Sequence, residues 1–446
     1  MPEISATSSI EPRSILRHAV VRNALSLYGI QFAGYILPLF TFPWIARALG
    51  PEKLGLVSWA AAFCMYFQTL TEYGFNFSAT REIALYREDQ ARINRIFTAT
   101  MAARFLLLLL SFGIMAAIVF AVPKMRAEWP VFFISFLTPV GAALFPQWLF
   151  QGLERMGYIT VRELGARVIG LMAIFVLVRT EKDYLWAAAV MAGSNAIAAL
   201  VGLLYAPAQT GVKFTRISLA DIRQTFREGW HLFLSTAAMT LYTRSNTFIL
   251  GLVASEAAVG AFAAASRLVE AAKSMVFPLS TAIFPHVSRL GKDSRQSVVQ
   301  FIRKYTPYIA APFALISLVF IAGAPLAVRL LYTHRYDSSI PLMQIMGALP
   351  FVVALSAPFG IYFMLGLGYN SEWSKVAMSA GVFNFVVLVP LLFLTRPEVA
   401  VSITSVVVEA FVLLCTWMFY RKRRGLPSPP PDSPERPHSA STANMI

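Results

Sequence analysis

The sequence predicts an all-α fold: a polytopic membrane protein of about twelve transmembrane helices in two six-helix lobes around a central cavity. Three observations predict it. Of the 446 residues, 57% are hydrophobic and only 14% charged, with a mean hydropathy of +0.61. A soluble domain has only its own core in which to hide so much apolar surface, whereas a bilayer removes that limit. Apolar stretches of about 20 residues, the length of a spanning helix, recur almost without pause from Asn23 to Tyr420. Lys and Arg sit between these stretches and alternate in density, roughly threefold richer in every second connection, as the positive-inside rule requires. That alternation needs an even helix count and places both termini in the cytoplasm. The net charge of +15 is thus a topology signal, and no nucleic-acid partner is expected.

The first helix is placed at 23–47, behind Arg13, Arg17 and Arg22. It is too long for the apolar region of a cleavable signal and carries Pro38 and Pro43. A tight link, Leu49-Gly50-Pro51-Glu52-Lys53-Leu54-Gly55, leads to helix two at 54–79, where Gln68, Glu72 and Asn76 recur at i+4. Helix three, 97–121, holds Arg104 near its inner end, and Glu72 and Arg104 are expected to form a structural ion pair. Helices four to six follow at 129–152, 159–178 and 184–205, the first of them interrupted by Pro139 and Pro146. The longest internal connection, 206–228, divides an N-terminal lobe (23–205) from a C-terminal lobe (229–420). Helices seven and eight, 229–253 and 257–286, are joined by Val253-Ala254-Ser255-Glu256-Ala257-Ala258-Val259-Gly260, a weak echo of the link after helix one. Two parallel halves of this kind are a recurrent transporter plan. Helices nine to twelve complete the set at 304–332, 339–366, 372–395 and 398–420. Residues 1–22 are expected as a cytoplasmic segment and 421–446 as a basic anchor followed by a disordered Pro-rich tail.

Polar groups placed where lipid should be are the candidates for function, because a charge at the bilayer centre costs at least ~2.5–3.5 kcal/mol. Helix seven carries Thr236, Thr240, Thr243, Arg244 and Thr247 on one stripe. Helix eight carries Arg267, Glu270, Lys273 and Ser274 along one arc. Counting from the outer helix ends, Arg244 and Arg267 lie at the same depth, roughly 14–15 Å down at 1.5 Å per residue. Three cations against one carboxylate suit an anionic passenger, and the planar fork of Arg matches phosphate. The competing reading is that an arginine pairs with Glu270 and simply locks the helices together. Substrate binding is therefore assigned to Arg244, Arg267, Lys273, Thr240 and Thr247. Glu270 and Glu409, the latter sharing a face of helix twelve with Ser402, Ser405 and Thr416, are the candidates for ion coupling. Cys64 and Cys415 lie in apolar helices and the five histidines are scattered, so neither a disulfide framework, a metal site nor a cofactor is expected.

Several runs resemble the O-antigen flippases of the polysaccharide-transport group, within the multidrug/oligosaccharidyl-lipid/polysaccharide exporter superfamily. They are Leu37-Pro38-Leu39-Phe40-Thr41-Phe42-Pro43 through Glu52, Tyr73-Gly74-Phe75-Asn76-Phe77-Ser78-Ala79-Thr80-Arg81-Glu82, and Gln147-Trp148-Leu149-Phe150-Gln151-Gly152-Leu153-Glu154-Arg155-Met156. The stretch from Asn246 to Pro285 is similar too. The resemblance implies a two-lobed exporter fold in the bacterial inner membrane. It also implies flipping of an undecaprenyl-pyrophosphate-linked oligosaccharide from the cytoplasmic to the periplasmic leaflet by alternating access. The expected partners are that lipid-linked substrate, membrane lipids and polysaccharide polymerase machinery. Arg244 and Ser266 depart from the family pattern in the direction of a more positive cavity. The rival readings are a lipid II flippase, alike on every physical count, and a multidrug exporter, which needs carboxylates facing its cationic drugs. An enzyme is not expected, since the outer loops are too short to build an active site and carry no nucleophile–base pair.

Overall fold

The structure, a computed structural model, describes residues 12–425. Within them the backbone is helical apart from turns and short connections, and no strand occurs among the described residues. The first helix, α1 (Pro12–Glu72), is two membrane legs joined at a single residue, Gly50, with φ 68° and ψ 172°. Only glycine adopts that φ without cost. A Cβ there would also come 2.5 Å from the Arg335 guanidinium. Pro51 then starts the second leg at the position where its missing N–H is not needed.

A second break at Tyr73 and Gly74, both with positive φ, sets off α2 (Phe75–Leu85). α3 (Gln90–Ala121) starts earlier than the apolar run, because Asp89 caps it by accepting from the Arg92 amide at 3.0 Å. After the short α4 (Pro123–Ala127), the expected fourth helix is three pieces: α5 (Trp129–Ser135), α6 (Leu137–Leu144) and α7 (Gln147–Gly152). The break before α7 follows from Pro146, which pushes Phe145 into an extended conformation. α8 (Met156–Leu177) and α9 (Tyr184–Thr210) complete the first lobe.

The expected connection 206–228 is mostly helical: α9 runs on to Thr210 and α10 (Leu219–Val253) begins at the Ser218–Asp221 capping box. The second lobe continues with α11 (Glu256–Ser274), α12 (Val276–Asp293) and α13 (Arg295–Tyr332). It ends with α14 (Ser339–Met346), α15 (Leu349–Ala357), a π-helical stretch (Pro358–Leu365), α16 (Asn370–Leu394) and α17 (Pro397–Arg423). The Pro-rich tail lies outside the described residues.

Among the described residues, eight segments are long and apolar enough to span a bilayer, by length and composition. With the two legs of α1 counted separately, the path through α8, α10 and α11–α12 accommodates the twelve passes expected. These three elements miss the apolar criterion: α8 carries Arg162, Glu163 and Arg167, α11 carries Arg267, Glu270 and Lys273, and α10 mixes Arg244 with threonines, Ser245 and Asn246.

The lobes meet chiefly where α1 packs against α10 and α11. Phe63 stacks on Phe248 at 5.3 Å across this seam. At one end of it the two similar links come together reciprocally. A Cβ on Gly55 would stand 1.8 Å from the Glu256 carbonyl oxygen, and one on Gly260 would stand 1.9 Å from that of Pro51. Positions 51 and 55 of one hairpin thus face 260 and 256 of the other, so the echo in the sequence becomes a local two-fold contact in space.

Candidate functional site

α11 supplies Arg267, Glu270 and Lys273, spaced three residues apart so that they step around one arc of the helix. Lys273 Nζ contacts Glu270 Oε1 at 2.8 Å and Glu409 Oε1 of α17 at 3.8 Å. Glu409 therefore belongs to the same cluster, a link that sequence spacing does not reveal. Arg244 of α10 is exposed and close enough to interact electrostatically with both Lys273 and Arg267. Arg267 is also exposed and lies over the Phe42 ring, 5.7 Å from its centroid, so the first leg of α1 forms the opposite wall.

Three cations face two carboxylates, which leaves a charge excess smaller than the sequence suggests but of the same sign. Exposure grades the cluster: the Glu270 side chain is 56% accessible, whereas Lys273 and Glu409 are 24% and 21%. The arginines and Glu270 thus face open space, and the Lys273–Glu409 contact lies behind them.

The threonine stripe divides. Thr240 hydrogen-bonds Thr69 at 3.1 Å and ties α10 to α1. Thr247 is half-buried, and the side chain of Thr243 lies outside the described residues. Near Thr240, the Tyr66 hydroxyl donates to Ser245 at 3.2 Å. The seam is therefore polar along part of its length.

The expected Glu72–Arg104 ion pair is not formed as a close contact. Arg104 is 1% exposed and donates to the carbonyls of Ala142 at 2.9 Å and Phe145 at 3.0 Å, and to Asn76 Oδ1 at 2.7 Å. Those carbonyls lose helical partners at the Phe145–Pro146 break, and a guanidinium fork is what satisfies several acceptors at once. Glu72 accepts instead from Gln68 at 2.9 Å and acts on Arg104 only through its field.

Sequence reasoning missed a buried amide chain. Asn384 of α16, 1% exposed, donates to Asn246 Oδ1 of α10 at 3.1 Å, and Asn246 donates to Ser405 of α17 at 3.3 Å. The available signal was a lone Asn inside the apolar run 372–395. Membrane hydrogen bonds of this kind contribute ~0.6–2 kcal/mol. Asn246→Leu, which removes both bonds, is therefore expected to lower the melting temperature of the purified protein more than Asn384→Leu, which removes one. Equal melting temperatures for both variants and the wild type would show that the chain does not stabilise the lobe.

A set of long-range contacts closes the seam on the face that carries Gly50 and Glu256. Arg47 donates to the Leu330 and Leu331 carbonyls, and Tyr336 to the Ala46 carbonyl at 2.9 Å. Lys124 donates to the Gly251 and Ala254 carbonyls, at 2.7 and 2.5 Å. Arg335 pairs with Glu181 at 2.5 Å. Each joins one lobe to the other, and most use carbonyls at helix C-termini, where cations are favoured.

Residues 20–291 match the family described as polysaccharide biosynthesis proteins. The chain is 29% identical over 403 residues to a putative O-antigen transporter of Escherichia coli (strain K12), covering 90% of this chain and 97% of that protein. It is 26% identical over 396 residues to a protein of the same description from Shigella dysenteriae, covering 88% and 98%. Among solved structures it is similar to the lipid II flippase MurJ in an inward closed conformation, with TM-score 0.70 and 10% identity over 88% of this chain and 86% of that one. It is also similar to an inward-facing multidrug resistance MATE family transporter, with TM-score 0.66 and 12% identity over 87% and 94%. At such identities the structural likeness is one of fold, and the fold is that of membrane transporters.

Proposed function

The chain belongs to the family of polysaccharide biosynthesis proteins, and from that premise we propose that it flips an undecaprenyl-pyrophosphate-linked oligosaccharide from the cytoplasmic to the periplasmic leaflet. The observation that carries this reading is the cluster of Arg244, Arg267 and Lys273 on two adjacent helices at the seam between the lobes. A pyrophosphate is the part of such a lipid that most resists the bilayer. A site with more cations than carboxylates offsets its charge, and exposed guanidiniums offer it paired donors. The description of the Escherichia coli relative and the fold shared with a lipid II flippase support the same substrate class. Thr247, half-buried on the stripe of Arg244, is assigned to the passenger by that spacing. Thr240 serves the seam more directly.

We place both termini in the cytoplasm, on the charge bias of the connections. The contacts made by Arg47, Lys124, Arg335 and Tyr336 then close the periplasmic side, and alternating access requires that they break. Coupling is assigned to Glu270 and Glu409. Lys273 is shared between them, so a proton or cation taken up at either carboxylate weakens that carboxylate's hold on Lys273.

The test is complementation of a bacterium lacking its own O-antigen flippase, at matched membrane expression. A hydrogen bond to a charged group contributes about 1.5–3 kcal/mol, so Arg244→Ala and Arg267→Ala are each expected to lower surface polysaccharide about tenfold or more. Full rescue by both variants would reduce the arginines to helix-locking residues. Failure of the wild type with a matched sugar would remove the flippase reading itself.

A further inference from the structure

A second group of arginines lies outside the central cluster. On the face that carries the connections 86–89 and 211–218 there is a cavity of about 710 Å3, within the ~300–1,000 Å3 usual for ligand sites. Its walls come from the end of α2, the first turns of α3, the connection before α10 and the first turns of α10. The connection is strapped down: the Lys213 amide donates to Asn94 Oδ1 at 2.9 Å, and the Thr215 amide to Thr98 Oγ1 at 3.0 Å. Phe214 packs on Phe97 with ring centroids 5.0 Å apart. The cavity wall is thus a held surface that joins the first lobe to the first helix of the second.

Arg92, Arg95 and Arg216 line the cavity together with Glu82, Asp89 and Asp221. The formal charges cancel, but two of the carboxylates are already engaged. Asp89 caps α3. Asp221 accepts from the Ser218 amide at 2.8 Å and its hydroxyl at 2.9 Å, bonds that hold its carboxyl below the usual range. Glu82 is half-buried beside Glu228. All three guanidiniums are exposed, and among the described residues none of them makes a close ion pair. Arg92 is steadied over the Tyr86 ring at 3.5 Å.

We propose that this cavity binds the phosphate-bearing headgroup of a membrane lipid. Basic pockets between helices at a membrane face take such headgroups. The shared chemistry admits two sources, an anionic phospholipid or the lipid-linked pyrophosphate before it reaches the central cluster. A headgroup seated here touches both α3 and the start of α10, so its binding biases how the lobes stand to one another.

The experiment is native mass spectrometry of the purified full-length chain titrated with dioleoyl phosphatidylglycerol, undecaprenyl pyrophosphate and inorganic pyrophosphate. It is run in the Arg244→Ala/Arg267→Ala background, so that the central cluster does not contribute. Adding Arg95→Gln and Arg216→Gln is expected to weaken lipid binding about tenfold, equivalent to ~1.4 kcal/mol. Arg155→Gln, an exposed arginine outside the cavity, is expected to change nothing. Weakening for both lipids supports a general headgroup site. Weakening for one lipid alone supports the proposal and names the source. Unchanged binding of both lipids overturns it, as does binding of inorganic pyrophosphate with no binding of either lipid. If the combined variant melts lower without lipid, Arg216→Gln alone makes the same comparison from an exposed position on the connection.

Discussion

Gly260→Val is expected to abolish closure of the seam and to lower the melting temperature of the protein. A Cβ at this position meets the Pro51 carbonyl oxygen at 1.9 Å, and the partner is backbone at the start of a helix leg, with no flexible side chain to yield. Overpacking costs typically ~1–3 kcal/mol even where side chains can adjust, so the upper end of that range or more is expected here. The reciprocal Gly55→Val meets the Glu256 carbonyl and predicts the same outcome. The measurement is thiol labelling. Ala46 is fully buried beside the Tyr336 contact. In Ala46→Cys alone a membrane-impermeant maleimide should not react, whereas with Gly260→Val added it should. The parent chain, with Cys64 buried and Cys415 half-buried, sets the background. An unlabelled thiol and an unchanged melting temperature in the double variant would mean that the two hairpins tolerate separation, and the close approach would lose its significance.

Arg104→Leu is expected to be the most destabilising single substitution in the first lobe. The leucine leaves the Ala142 carbonyl and the Asn76 amide oxygen without their donor, inside a lobe where water does not replace it, while the Phe145 carbonyl keeps only the Gln147 amide at 2.9 Å. Each buried unsatisfied group costs about 1–3 kcal/mol, so a total of roughly 2 kcal/mol or more is expected. Replacing a buried ion pair by apolar residues is often neutral, but that argument fails here because the acceptors are backbone carbonyls that no substitution removes. Arg104→Lys, a point donor without the fork, should recover only part of the loss. Thermal unfolding of the purified variants in detergent checks both. An Arg104→Leu protein as stable as the wild type would show that the break before Pro146 satisfies its carbonyls in another way.

The helical class and the membrane setting were legible in the chain itself. Each depends on local sums: enough apolar residues in a row to span a bilayer, Arg and Lys gathered in alternate connections, and Gly-Pro or Ser-Glu links that end one helix and start the next. Arg244, Arg267, Glu270 and Lys273 were legible as candidates for the same reason, because a charge inside an apolar run stands out without knowledge of its neighbours. The folded chain decided whom they meet. Glu409 reaches Lys273 from α17, and Asn246 meets Asn384 and Ser405, through contacts between residues far apart in the chain. Arg104 shows the limit most clearly. Its expected partner was the nearest opposite charge by helix spacing, Glu72, whereas its actual partners are carbonyls freed by a proline break more than thirty residues on. Backbone carbonyls have no letter in a sequence, and neither do the close approaches at Gly55 and Gly260, which depend on what the facing helix presents. Sequence reports which groups need a partner; only tertiary packing, which brings distant carbonyls and side chains within hydrogen-bond range, decides which partner each one finds.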